Sequence, residues 1–156
     1  MRMITRLAVA AVAAGGMAAA ALAANDSAPA DLNDPVSVRQ HMMKNVGGSM
    51  KLLAGMVKGE APYDARVAEA AFRAMNNAAL GLGAFFPPGS DAGETEASPK
   101  IWQDMAGFKA AIGAFARDTA AAAAARPADL DAFKPVFGKV AGNCKSCHEA
   151  WRVKKE

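Results

Sequence analysis

Apolar residues return every three or four positions along most of this chain, and no stretch alternates with the period of two that a strand requires. The first such segment opens at Asp34-Pro35, a capping residue followed by proline at the first helical position, and extends to about Lys58-Gly59. Met43, Met50 and Val57 fall seven apart, with Val46 and Leu53 between them, which predicts one apolar stripe. Asp64 caps a second predicted helix over 65–81, carrying Val67, Ala71, Met75 and Leu80 and ending in Gly81 and Gly83. Residues 86–98 hold the Pro, Gly and Ser of a long loop. Ser98-Pro99 repeats the cap-then-proline signal, and a third helix is predicted through Ile101, Met105, Phe108, Ile112 and Phe115. Its alanine run reads as helix, and Arg126-Pro127 stops it. A fourth helix starts near Asp129 and is expected to reach about Lys154, with Pro135 able to kink its first turns. Four amphipathic helices with mostly short links predict an all-α, antiparallel up-down-up-down bundle.

The first 23 residues stand outside this pattern. Arg2 and Arg6 precede an Ala/Val/Leu run that ends in the small-residue triplet "ALA" at 21–23, the three parts of a secretory signal peptide. Export to the periplasm is the expectation, with the mature domain covering 24–156 and no stable membrane insertion once the signal is removed. That length suits one domain with one core. Removing Arg2 and Arg6 leaves sixteen basic residues of the eighteen against fifteen acidic ones, so the mature chain is nearly neutral. No basic block carries interleaved aromatics, which argues against a nucleic-acid partner.

Both cysteines lie in one unit, "CKSCHEAWR" at 144–152. C-x-x-C-H is the attachment signal for c-type haem. Cys144 and Cys147 stand about one helical turn apart, so two thioethers can form to one porphyrin from one helix face. His148 then presents its ring to the iron as the first axial ligand. A disulfide between such close neighbours would close a tiny loop and stabilise little. A thioredoxin-like motif belongs with an α/β sheet, and a structural zinc site lacks ligands, since His41 is the only other histidine.

His148 near the end of the last helix puts one haem at the bundle end reached by the start of the first helix, the end of the second and the start of the third. Met50 and Met56 are too far along the first helix to reach the iron. Met42, Met43, Met75 and Met105 remain as candidate second ligands, with Met43 nearest the centre of its stripe and His41 on the polar face. A methionine on an apolar stripe is ordinarily core filler.

The stretches "RQHMMK" at 39–44, "VKGEAPYD" at 57–64, "SPKIW" at 98–102 and "CKSCHEAWR" at 144–152 resemble the class II cytochromes c, the cytochrome c′ family, across the mature length. The resemblance implies a haem c bound through Cys144 and Cys147 with His148 on the iron. It implies that Arg39 pairs with a haem propionate beside Gln40 and that Arg152 is the basic residue near the histidine. Glu96 and Ser98 align with loop positions that approach the haem edge. Met43 stands where one branch of the family has a methionine ligand and a low-spin, six-coordinate iron.

These residues lead to the expectation of a periplasmic one-electron carrier with His/Met-ligated haem, redox-protein partners and no enzymatic turnover. Whether the family's common homodimer forms through the first two helices is left open by the sequence. The alternative is a five-coordinate, high-spin protein that binds nitric oxide or carbon monoxide. Peroxidase-like catalysis would need an inward-facing acid–base group, which the first helix does not offer.

Made with its own signal, the mature protein should have lost residues 1 to about 23 and gained the mass of one covalent haem. A mature mass equal to bare polypeptide would remove the haem reading altogether.

Overall fold

The computed structural model describes residues 31–153, so the signal segment and the expected helix end at Lys154 lie outside the described residues. Four long helices form the bundle: α1 (Pro35–Lys58), α2 (Ala65–Leu82), α4 (Met105–Ala125) and α5 (Leu130–Trp151). A short α3 (Lys100–Gln103) precedes α4. Among the described residues there are no strands, as the periodicity predicts.

Local chemistry sets the ends. The Asp34 carboxylate accepts from the amides of Val36 and Ser37, both at 3.0 Å, while Pro35 fills the first turn where an amide has no partner. Gly59 ends α1 at φ 76°, a left-handed position where a β-carbon is costly. Asp64 and Asp129 cap α2 and α5 in the same manner. The third predicted helix is in fact two, broken at Asp104. That residue leaves the helical region at φ −135° and ψ 65° to cap α4 through the Gly107 amide at 2.9 Å. A β-carbon on Gly107 would lie 2.3 Å from the Asp104 carboxylate, so this cap works only over glycine. The fourth helix stops at Trp151, short of the expected Lys154, because residues past it turn into an extended bridge. Pro135 sits in its second turn, and the helix runs through it.

Two apolar clusters follow one another along the bundle. The first joins Val46, Leu53 and Met56 of α1 to Phe72 and Met75 of α2, Phe115 of α4, and Phe133 and Val140 of α5. The second, at the C-x-x-C-H end, contains Leu82, Phe86, Ile101, Phe108, Ile112 and Trp151. The stripes are rotated from those expected. On α1 the buried line is Val46, Leu53 and Met56, with Met43, Met50 and Val57 only partly covered. On α2 Val67 and Leu80 are exposed, and the buried face is Ala68, Ala71, Phe72, Met75 and Ala79. Leu80 lies about 140° round the helix from Met75, which takes it out of the packed arc. Alanine, too small to dominate a hydropathy pattern, is what lets α2 approach its neighbours.

The helices do not pack evenly. α2 against α4 is the most extensive contact, α1–α2 and α4–α5 are intermediate, and α1 touches α5 sparsely. At the end remote from the cysteines, Tyr63 in the first turn donates to the Pro127 carbonyl at 2.6 Å and stacks its ring 5.0 Å from Phe133. Between α2 and α4, Asn76 donates to the Ala116 carbonyl at 2.7 Å.

Phe133 is fully buried and meets the rings of Tyr63, Phe72 and Phe137. Phe133→Ala should therefore destabilise the fold by about 3–5 kcal/mol, read as a fall in the urea midpoint. A change below about 1 kcal/mol would mean that the remote cluster does not hold the bundle.

Candidate haem site

Cys144, Cys147 and His148 lie on the last two turns of α5. Both thiols are free and half-buried. Cys144 packs against the first cluster and Cys147 against the second, so the pair straddles the seam between them. Burial pushes the Cys144 thiol above its ordinary pKa, with its backbone hydrogen bond opposing. Burial and then the neighbouring Cys144 raise that of Cys147. Thiols held neutral in this way lack the thiolate character of a redox C-x-x-C pair. His148 is exposed on the helix surface. Desolvation by the protein beside it, and then Arg152, lower its pKa, while Glu96 opposes, so the neutral, metal-binding imidazole is favoured.

Met43 of α1 packs against both clusters, and among the described residues no other partly buried side chain does so. It shares the seam with the two cysteines. The other candidate methionines are placed differently. Met42 lies over α2, where a β-carbon on Gly81 would come 3.5 Å from its Cε. Met75 is wholly buried in the first cluster, and Met105 packs on the second. His41, expected on the polar face, is partly buried and donates from Nδ1 to the Ser37 carbonyl at 2.9 Å.

Arg39 is buried, at 4% exposure, although it carries a charge. Its Nη1 donates to the Phe85 carbonyl at 3.1 Å and Ser90 Oγ at 3.0 Å. Its Nη2 donates to the Ser90 carbonyl at 2.6 Å and Thr95 Oγ1 at 2.8 Å. The guanidinium lies over the rings of Phe86 (4.7 Å) and Trp102 (5.6 Å). Burial depresses its pKa, and Asp34 and Asp91 partly offset this from farther off. All four of these hydrogen-bond partners are neutral, so among the described residues the cation has no carboxylate bonded to it. Gln40 donates to the Glu94 carbonyl at 2.6 Å.

The other side of the same loop meets α5. The Ser98 amide donates to the Trp151 carbonyl and the Val153 amide to the Glu96 carbonyl, both at 2.9 Å, and Ala97 pairs with Arg152 as an antiparallel bridge. The Arg152 guanidinium is ion-paired with Glu96. Every residue expected at the site is thus grouped at one bundle end, on α1, α5 and the loop between α2 and α3. Sequence reasoning missed Ser90 and Thr95, two buried hydroxyls. Their signal was indirect, since an arginine between Val38 and a methionine pair needs acceptors from somewhere. It also missed that Trp151 and Lys100 close this end, with Lys100 Nζ 4.8 Å above the indole. A surface groove of about 380 Å³ beside Phe86, Trp102 and Met105 contains none of the C-x-x-C-H residues.

The donor set fits a covalently held porphyrin: two neutral thiols at the seam, a neutral imidazole beside them, a soft thioether on α1 and a buried positive charge whose N–H groups are taken up by neutral loop oxygens. The helix that carries the motif touches the helix that carries Met43 far less than it touches α4.

The sequence model described as Cytochrome C′ matches residues 34–152. Cytochrome c-556 of Agrobacterium tumefaciens (strain II Chrys) is 36% identical over 120 residues, covering 77% of this chain and 98% of its own. The solved cytochrome c′ of Rhodopseudomonas palustris superposes with a TM-score of 0.75 at 37% identity, covering 79% and 98%. A nitric oxide complex of a cytochrome c prime variant from Alcaligenes xylosoxidans gives 0.69 at 36%, covering 78% and 96%. Both names occur among these relatives, so the match reaches the family as a whole and stops short of a methionine-ligated branch. With this fold and these residues at its C-x-x-C-H end, the chain belongs to the cytochrome c′ family, whose members carry covalently bound haem c.

Proposed function

We propose that this protein is an exported, periplasmic haem protein without catalytic turnover that binds nitric oxide or carbon monoxide at a five-coordinate, high-spin iron. Cys144 and Cys147 hold one haem c through two thioethers, and His148 is its protein ligand. The observation that carries the reading is the face across from α5. It is lined by the Met43 thioether where the two clusters meet and is walled by apolar side chains. An apolar face of this kind suits a small uncharged molecule better than an ionic one. The relative described as a nitric oxide complex supports the same reading by likeness. Bound at this site, the haem supplies the iron that takes up a gas or exchanges one electron. Arg39 supplies positive charge for a propionate, and Gln40, Glu96, Ser98 and Arg152 shape the loop beside it.

A second reading, the His/Met-ligated one-electron carrier, is favoured by the placement of Met43 alone. There the thioether binds the iron permanently and a soft ligand raises the reduction potential. Redox-protein partners belong with this reading. Among the described residues no helix is long and apolar enough to cross a membrane, and a homodimer through α1 and α2 is part of the proposal.

One spectrum separates the two. Under the gas-binding reading the oxidised holoprotein is high-spin, and its reduced form takes up carbon monoxide rapidly. A low-spin spectrum with the long-wavelength band of methionine-ligated ferric haem, abolished by Met43→Leu but kept by Met42→Leu, would replace it with the carrier reading.

Arg39→Leu should shift the reduction potential while all haem stays attached, because a buried cation near the propionates is lost and the thioethers remain. An unchanged voltammogram would remove Arg39 from the propionate role.

A further inference from the structure

Met43 and His148 stand on different helices, and each has an arginine one helical turn away. Arg39 precedes Met43 by four residues, so the two stack on one face of α1. Arg152 follows His148 by four, and its amide donates to the His148 carbonyl at 3.2 Å. One loop takes up both guanidinium groups. Ser90 and Thr95 hold Arg39, and Glu96, the next residue, holds Arg152. Thr95 Oγ1 also accepts from the Ala97 amide at 3.1 Å, which joins the α1 side of the loop to the bridge on α5.

This arrangement matters because α1 and α5 touch each other so little. The first cluster fixes their remote halves, but at the C-x-x-C-H end their separation is carried by the loop. We propose that Ser90, Thr95 and Glu96 are positioning residues: segment 90–98 is a strap that ties the Met43 turn to the His148 turn and fixes how closely the Met43 thioether approaches the haem iron. The inference rests on the reading that Met43 faces the iron opposite His148. It goes beyond that reading in assigning control of the distance to three side chains with no atom on the iron. It holds whether Met43 is a steric guard over a five-coordinate iron or a sixth ligand. Loosening the strap lets the thioether retreat in either case.

The test uses the haem-loaded, full-length protein, with carbon monoxide as the probe. Ser90→Ala with Thr95→Val removes both hydroxyl acceptors from Arg39 and should speed carbon monoxide association about tenfold. Thr95→Ser keeps the hydroxyl and should restore the wild-type rate. Glu96→Gln, a surface change that keeps the fold even if the double variant does not, should act in the same direction. Met43→Ala should also accelerate binding, and in that background the strap variants should add nothing. Suppose the strap variants raise amide exchange at Ala97, Ser98 and Val153 yet leave the association rate and ferric spectrum as in wild type. The strap would then be loop structure only, and the proposal is overturned. If instead Met43→Ala itself leaves the rate at the wild-type value, the placement of Met43 over the iron falls, and the strap proposal falls with it for that separate reason.

Discussion

Burying a guanidinium is costly unless its N–H groups find acceptors, and Arg39 meets that demand by drawing carbonyl and hydroxyl oxygens of residues 85–95 around itself. The rest of the haem end follows from it. With Phe85, Ser90 and Thr95 committed to Arg39, the loop must pass across the start of α1. Phe86 and Trp102 then come to lie against the cation, and Phe86 packs its ring 4.7 Å from Phe108 at the top of α4. The loop's far end pairs with the end of α5 at Trp151 and with Val153 just past it. A single charged side chain therefore organises an irregular segment that hydropathy leaves blank.

The haem chemistry was legible because it is local. C-x-x-C-H needs only one helix, and the caps at Asp34, Asp64 and Asp129 need only the turn that follows them. The up-down-up-down architecture was equally open to reading, since link lengths and helical periods suffice for it. What failed to show was whatever depends on a neighbour. Leu80 reads as core by composition, yet the buried arc of α2 is defined by alanines whose value is their smallness against α4. Asp104 looks like an ordinary polar residue until Gly107 lets its carboxylate fold back. Ser90 and Thr95 acquire meaning only when the loop has closed over Arg39.

Family membership and ligation state are different kinds of statement. The first follows from fold, motif and likeness along residues 34–152. The second turns on the few ångströms between one thioether and one iron. The sequence resemblance favoured permanent ligation by Met43, while one solved relative is a nitric oxide complex of a cytochrome c prime variant. Both readings use the same wall of side chains. On the reading proposed above, the chemical difference between a gas binder and an electron carrier would lie in how tightly one flexible, unbranched side chain is pressed inward.

The bond from Tyr63 to the Pro127 carbonyl gives this bundle a fulcrum. It locks the turn between α1 and α2 to the turn between α4 and α5, at the end farthest from the cysteines. Seen from there, α1 and α5 are the two arms of a pair of tongs. From Val57 near the pivot to Met43 the arm is about 21 Å long, so each degree of opening moves the thioether by about 0.4 Å. An opening of about two or three degrees, negligible at the pivot, would carry that thioether by about an ångström. Leverage of that kind cannot be resisted from the pivot end, however well Phe133 is packed.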